Sequence, residues 1–127
     1  MSDAISPPLA VVTTIGLILP YGATSPSPVV ITVEMHRRLP ALVVAGPRQT
    51  AGREQAERVR DAITACRFEM PRTRIVVTYG HGPDATRADV SGCDLPIALA
   101  ILEATGQIPP VKGGAPFCGL LLPGGGV

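Results

Sequence analysis

Reactive residue types gather in one short stretch, Ser91, Cys93 and Asp94, where a polar loop gives way to an apolar run. A thiol at a helix N-terminus has a lowered pKa and can act as a nucleophile. Cys93 is therefore the most plausible reactive group, although no base for it is identifiable. Asp94 precedes Leu95-Pro96 and reads as a helix cap, which stabilises by roughly 1 kcal/mol. The loop Gly80–Gly92 ahead of it invites phosphate binding, because helix N-termini attract anions. Its Asp84 and Asp89, with Asp94, would repel a phosphate, and Arg87 alone does not offset them. His81 and His36 would have to converge with Asp84 or Asp89 to hold a metal. Nothing in their spacing requires this, and neither a metal nor another cofactor is expected. No GxxxxGK[ST] pattern is present and Gly124–Val127 carries no Lys, so ATP hydrolysis by this chain is not expected.

A second chemistry is electrostatic. Residues 34–74 hold nine arginines against five acids, whereas the net charge of the chain is only +1. Arg37, Arg38, Arg48, Arg53, Arg58, Arg60, Arg72 and Arg74 make a candidate surface for phosphate or carboxylate. The plain alternative is a solvated helix face. Aromatic residues are scarce, with two Tyr, two Phe and no Trp. Nucleic-acid binding would then be to the backbone and would weaken steeply with salt.

The elements that must position these groups can be read from periodicity. Leu9–Leu19 reads as a buried strand, bulged at Gly16. As a membrane span it is too short, and no Lys or Arg precedes it as in a secretory leader. Pro20–Pro28 reads as a loop. Val29–Met35 and Ala41–Ala45 read as strands, and the short link His36–Pro40 implies an antiparallel hairpin between them. A helix is expected from Thr50, which would cap it. Its apolar stripe is Ala56, Val59, Ile63 and Cys66, with Arg53, Glu57, Arg60 and Asp61 facing away. Pro71 would end the segment. Arg74–Tyr79 reads as a strand, His81–Cys93 as a long polar loop, Leu95–Leu102 as a buried helix ended by Gly106, and Phe117–Leu122 as a last strand. The order β-β-β-α-β-α-β implies an α+β fold of two layers, a mixed sheet with two main helices packed on one face.

Four pieces of the chain carry a family resemblance. VVITVEMH (Val29–His36) is similar to a strand of the form VTVEVH. LPALVVAG (Leu39–Gly46) is similar to LPGFxIVG. Thr50–Ile63 is similar to the helix TAVKESRERVRSAI, and DLPIALAILEATGQIP (Asp94–Pro109) to DLPIALGILAASGQIP. Together, over roughly residues 9–122, the chain resembles the N-terminal domain of the ComM-type, magnesium-chelatase-like AAA+ proteins, without their ATPase. The resemblance implies the fold of ribosomal protein S5 domain 2, shared with the Lon protease domain. That protease uses a Ser–Lys dyad, with its Ser at the start of the helix matching Asp94–Thr105. Here the position holds Asp94. Ser91 lies three residues earlier and Lys112 is the lone Lys, so the dyad is not expected. Three departures stand out: VTYGHGPDATRADVSG differs from the usual INLAPADLPKEG, the turn at His36–Leu39 is shorter, and only the start of the FVGELGLDG segment is present.

Length and composition bound the rest. A chain of 127 residues with 46% hydrophobic residues suits one domain with a Val/Ile/Leu/Ala core, about residues 9–122, and loose ends at 1–8 and 123–127. Three cysteines in no zinc spacing suit a reduced, cytoplasmic protein. Three functions remain open: a non-catalytic accessory or protein-interaction domain, docking on an AAA+ ATPase or on itself; a binder of DNA or RNA backbone through the arginines; and a small hydrolase or thiol enzyme using Ser91 or Cys93. No membrane partner is expected.

Overall fold

The computed structural model describes residues 7–80, 82–110 and 119. Among them it contains β1 (Ala10–Pro20), β2 (Ser27–His36), β3 (Ala41–Ala45), α1 (Gln49–Ala65), β4 (Arg74–Tyr79), β5 (Ala88–Asp89) and α2 (Asp94–Ala104), with single 3-10 turns at Ala85–Arg87 and Ser91–Cys93. The strands form one mixed sheet in the order β3-β4-β2-β1-β5. Only the β3–β4 pair is parallel. Both helices pack on one face, α1 against β3 and α2 against β1 and β2. The two-layer α+β arrangement is the expected one. His81, Lys112, the tail 123–127 and, apart from Gly119, the expected last strand lie outside the described residues.

Alternation along the strands separates two faces. Gly16, Ile18, Val29, Ile31, Val33, Met35, Leu42, Ile75 and Val77 point into the helix layer and are buried. They meet Val59, Ala62 and Ile63 of α1 and Ile97, Ala100 and Ile101 of α2. The opposite face has no element over it among the described residues. Register sets Val43, Val76, Glu34 and Val11 in one row across four strands. Thr78, Thr32 and Thr13 form the next row, and Val30 and Ile15 the one after. On this open face the charged side chains of β1 to β4 are Glu34, which is bonded to His36, and Arg74.

Several local expectations are corrected. β2 and β3 do run in opposite directions, but they are not a hairpin, because β4 lies between them. Ile75 and Val77 are both fully buried, so β4 takes an interior place between β3 and β2 and the Arg37–Pro40 link steps across it. Strand spacing makes that step about 10 Å, within reach of four residues at roughly 3.3 Å each. Gly16 is not bulged, since β1 stays in register with β2 from Ala10 to Ile18. A Cβ there would lie 2.8 Å from the Cys93 sulfur and 3.0 Å from Ile31, so the glycine admits α2 to close range. Thr50 does not cap α1: the N-cap is Arg48, without a side-chain bond. Cys66 is exposed rather than on the buried stripe, because α1 ends one residue before it. The expected loop after β4 carries β5, whose two residues pair with Leu19 and Pro20.

The two helix ends use one device. Phe68 N–H donates to Ile63 and Arg67 N–H to Thr64; Gln107 N–H donates to Leu102 and Gly106 N–H to Glu103. Each is a Schellman closure, which needs a left-handed residue just past the cap. In α2 this is Gly106 at φ 73°, but in α1 it is Arg67 at φ 67°. α1 therefore stops well before Pro71. The two connections are also tied together, since the Gln107 amide bonds both the N–H and the carbonyl of Glu69. The helices consequently run side by side in the same direction.

Candidate functional site

The N-terminus of α2 meets the middle of α1 and the end of β4 around Asp94. Asp94 is the first residue of α2, not its cap; the N-cap position is Cys93. Its carboxylate is fully buried. Arg58 grips it as a fork, Nε to Oδ2 at 2.6 Å and Nη2 to Oδ1 at 3.1 Å. Gln55, also fully buried, donates to Asp94 Oδ1 at 3.1 Å and to the Val90 carbonyl at 2.8 Å. Its own oxygen accepts the Tyr79 hydroxyl at 2.7 Å. Four side chains from three elements thus form one chain of bonds. Bidentate, charge-assisted bonds of this type are the strong ones, and leaving one partner alone in the interior is costly.

The electrostatics follow from this arrangement. The bond to Asp94 holds the Arg58 guanidinium above its ordinary pKa, against the opposing effect of burial. Burial, with Cys93 nearby, pushes the Tyr79 hydroxyl well above its usual range, and the bond to Gln55 offsets only part of this. Tyr79 is therefore a neutral donor. Beside the cluster, Tyr21, Glu54, Arg58, Asp89 and Ser91 line a cleft of about 280 Å³.

That cleft lacks an activated nucleophile among the described residues. Ser91 donates both its N–H, at 3.0 Å, and its hydroxyl, at 2.7 Å, to Asp89. These bonds hold the Asp89 carboxyl below its ordinary range, and a weakened carboxylate is a poor general base. Cys93 is fully buried and its sulfur lies 3.5 Å from the Leu17 carbonyl. A thiol in that place is a packing group, whatever the dipole of α2. Asp84 likewise turns inward on its own loop, accepting from the Thr86 N–H and hydroxyl, which lowers its pKa. His36 is bonded to Glu34 at 3.0 Å, and no group of three metal-ligating side chains occurs among the described residues.

The eight arginines do not share one surface. Arg58 belongs to the buried cluster. Arg48 and Arg53 stand at the start of α1 and Arg60 on its exposed side. Arg37, Arg38, Arg72 and Arg74 do come together, at the opposite end of the sheet, where β2 ends and β3 and β4 begin. Arg74 is paired in register with His36 on one side and Ala41 on the other. Gln55 and Tyr79 were not foreseen. Gln55 shares a helical spacing with Val59 and Ala62, so a polar residue on an apolar stripe was the available signal.

Comparison with known proteins places these residues in context. A family model for subunit ChlI of Mg-chelatase matches residues 31–124. The uncharacterized protein YifB of Escherichia coli (strain K12) is 36% identical over 80 residues, which is 61% of this chain and 15% of that protein. The uncharacterized protein YifB of Salmonella typhimurium (strain LT2) is 33% identical over 87 residues, 68% of this chain and 17% of its own length. The chain therefore spans less than a fifth of the relatives it matches. Arg58, Asp94, Gln55 and Tyr79 all fall inside the matched region. No helix among the described residues is long and apolar enough to cross a membrane.

Proposed function

The chain belongs to the family of subunit ChlI of Mg-chelatase, and from that membership we propose that it is a non-catalytic accessory domain that docks on an AAA+ ATPase of the same family. The observation that carries this reading is the Asp94 cluster. At the start of α2, where the related protease domain would need an accessible nucleophile, the acid is fully buried and bonded to Arg58 and Gln55. The neighbouring Cys93 and Ser91 are respectively buried and held by Asp89. Such residues stiffen a fold and do not turn over a substrate. The open face of the sheet gives the domain something to dock with. Val11 is 51% and Leu19 39% exposed there, beside Ile15, Val30, Val43 and Val76. Glu34 and the row Thr13, Thr32 and Thr78 run between these side chains, so the face mixes apolar and polar groups as protein contact surfaces do.

The test is affinity capture of the tagged chain from nuclease-treated lysate of its own host, read by mass spectrometry. Enrichment of an AAA+ ATPase, lost when Val11 and Leu19 are replaced by Lys, is expected. Absence of any such ATPase would overturn the docking partner. Peptide or ester hydrolysis by the purified chain that disappears in Ser91→Ala would overturn the non-catalytic reading.

A further inference from the structure

Asp94 takes only part of the Arg58 donor set. A guanidinium carries its N–H groups as a flat fork, and the buried carboxylate engages Nε and one side of Nη2. The outer edge, with Nη1, meets no partner among the described residues and belongs to the exposed part of the side chain. Arg58 lines the cleft of about 280 Å³ beside the cluster. One turn earlier on α1, Glu54 lines the same cleft and makes no bond among the described residues. Asp89 reaches it from β5. Pairing with Leu19 fixes its backbone, and Ser91 donates twice to Oδ1, which leaves Oδ2 open. Both carboxylates act on Arg58 through space. Tyr21 is tied to this region by its N–H, which donates to the Arg87 carbonyl. Its side chain stays 66% exposed and walls the cleft together with Ala51.

We propose that this cleft binds a free α-amino acid as its zwitterion, the carboxylate accepting from the outer edge of Arg58 and the ammonium donating to Glu54 and Asp89. Size agrees with that ligand. Clefts for drug-sized molecules begin near about 300 Å³. At roughly 30 Å³ per water, this one equals about nine waters, which is room for a molecule of about as many heavy atoms. An α-amino acid carries both charges on one carbon, so it can meet acid and base in so small a space. A guanidinium edge matches a carboxylate. The charge balance excludes the simpler ligands. Arg58 and Asp94 cancel as a pair, and Glu54 and Asp89 then leave the cleft acidic. Arg53 and Arg87 lie outside its lining, as do the acids Glu57, Asp61 and Asp84, so no excess of base offsets this. A lone anion is repelled there, and a lone amine leaves the Arg58 edge unused. The same acidity favours a basic over an acidic side chain, seated against the Tyr21 ring.

The experiment is an amide NMR titration of the nitrogen-15-labelled full chain with three probes at neutral pH and fixed ionic strength. L-alanine carries both charges, propionate only the carboxylate and ethylamine only the ammonium. Alanine should move the signals of Ala51, Glu54, Asp89 and Ser91 and saturate at millimolar concentration. Propionate and ethylamine should each bind at least about tenfold more weakly, since each lacks one set of charge-assisted bonds. Glu54→Ala should weaken alanine binding about tenfold. Glu57→Ala, which removes the same charge from α1 outside the lining, should leave it unchanged. No saturable shift with alanine up to about 50 mM, ethylamine binding as tightly as alanine, or an equal loss in both variants would overturn the proposal.

Discussion

At the N-terminal end of the helix layer, Arg58 lies with 29% of its side chain exposed and its fork closed on a buried carboxylate. At the opposite end, Arg37 and Arg72 sit on turns and face solvent. The residue type is the same and the energetics are not. Arg58 is held by geometry and by the cost of stranding Asp94 in the interior. The others contribute charge to a surface and little to the fold. Within one chain, the neighbourhood decides whether an arginine is architecture or solvent-facing charge.

Truncating each kind of arginine is the sharpest way to break that contrast. Arg58→Ala should lower unfolding free energy by about 3 kcal/mol, because Asp94 is left charged and unpaired in the core. Arg37→Ala and Arg72→Ala should each stay within about 0.5 kcal/mol of the parent. Urea denaturation followed by circular dichroism reads both, and equal losses would erase the distinction. The packing beside the cluster comes next. Gly16→Ala forces a Cβ to 2.8 Å from the Cys93 sulfur and should cost about 1–3 kcal/mol in the same assay. Tyr79→Phe removes the donor to Gln55 and should cost about 1 kcal/mol. The raised Tyr79 pKa also has a sign at alkaline pH. The folded state keeps the proton that the unfolded chain releases near the ordinary value of 10.0. Stability should therefore decline above that pH, and less so in Tyr79→Phe.

Two smaller effects sharpen the comparison from the other end. Arg67→Gly relieves a left-handed arginine and should raise stability by about 0.5–1 kcal/mol in urea denaturation. A loss instead would show that the Arg67 side chain supports the turn more than its backbone strains it. In acid, Asp89 and Asp84 have folded pKa values below the ordinary 3.8. Their stabilisation is present above that value and is lost as pH falls through the lowered folded values. Urea midpoints taken from pH 5 to pH 2 should drop slightly less in Asp89→Asn than in the parent.

β2 and α1 were legible because each buries one face and so prints a period of two or of 3.6, whereas β3 and α2 show as short apolar runs bounded by turn and capping residues. The layer arrangement followed from their order. What escaped depended on partners distant in sequence. β5 is two residues long and exists only through Leu19 and Pro20, too short for any periodicity. The insertion of β4 between β2 and β3 cannot be seen in a short link that also fits a hairpin. Asp94 carried the expected cap signature, yet Arg58 and Gln55, about 40 positions earlier, take its oxygens. The dispersal of the eight arginines has the same origin. Four lie close together because register brings the ends of β2, β3 and β4 to one edge, a relation that linear spacing does not encode.

The place of β4 between β3 and β2 also imposes an order on folding. β1 and β2 are sequence neighbours and can zip together as soon as both exist. β3 emerges next but has no strand to join, because its partner begins only at Arg74, after the whole of α1. Until then Ala41–Ala45 is an unpaired, uncharged apolar strand beside an equally unpaired flank of β2. Such edges recruit other chains when left open, and non-local parallel pairing closes slowly. The sheet is thus completed by inserting β4 between two strands made before it. The interval between synthesis of β3 and docking of β4 is when this chain is most exposed to aggregation.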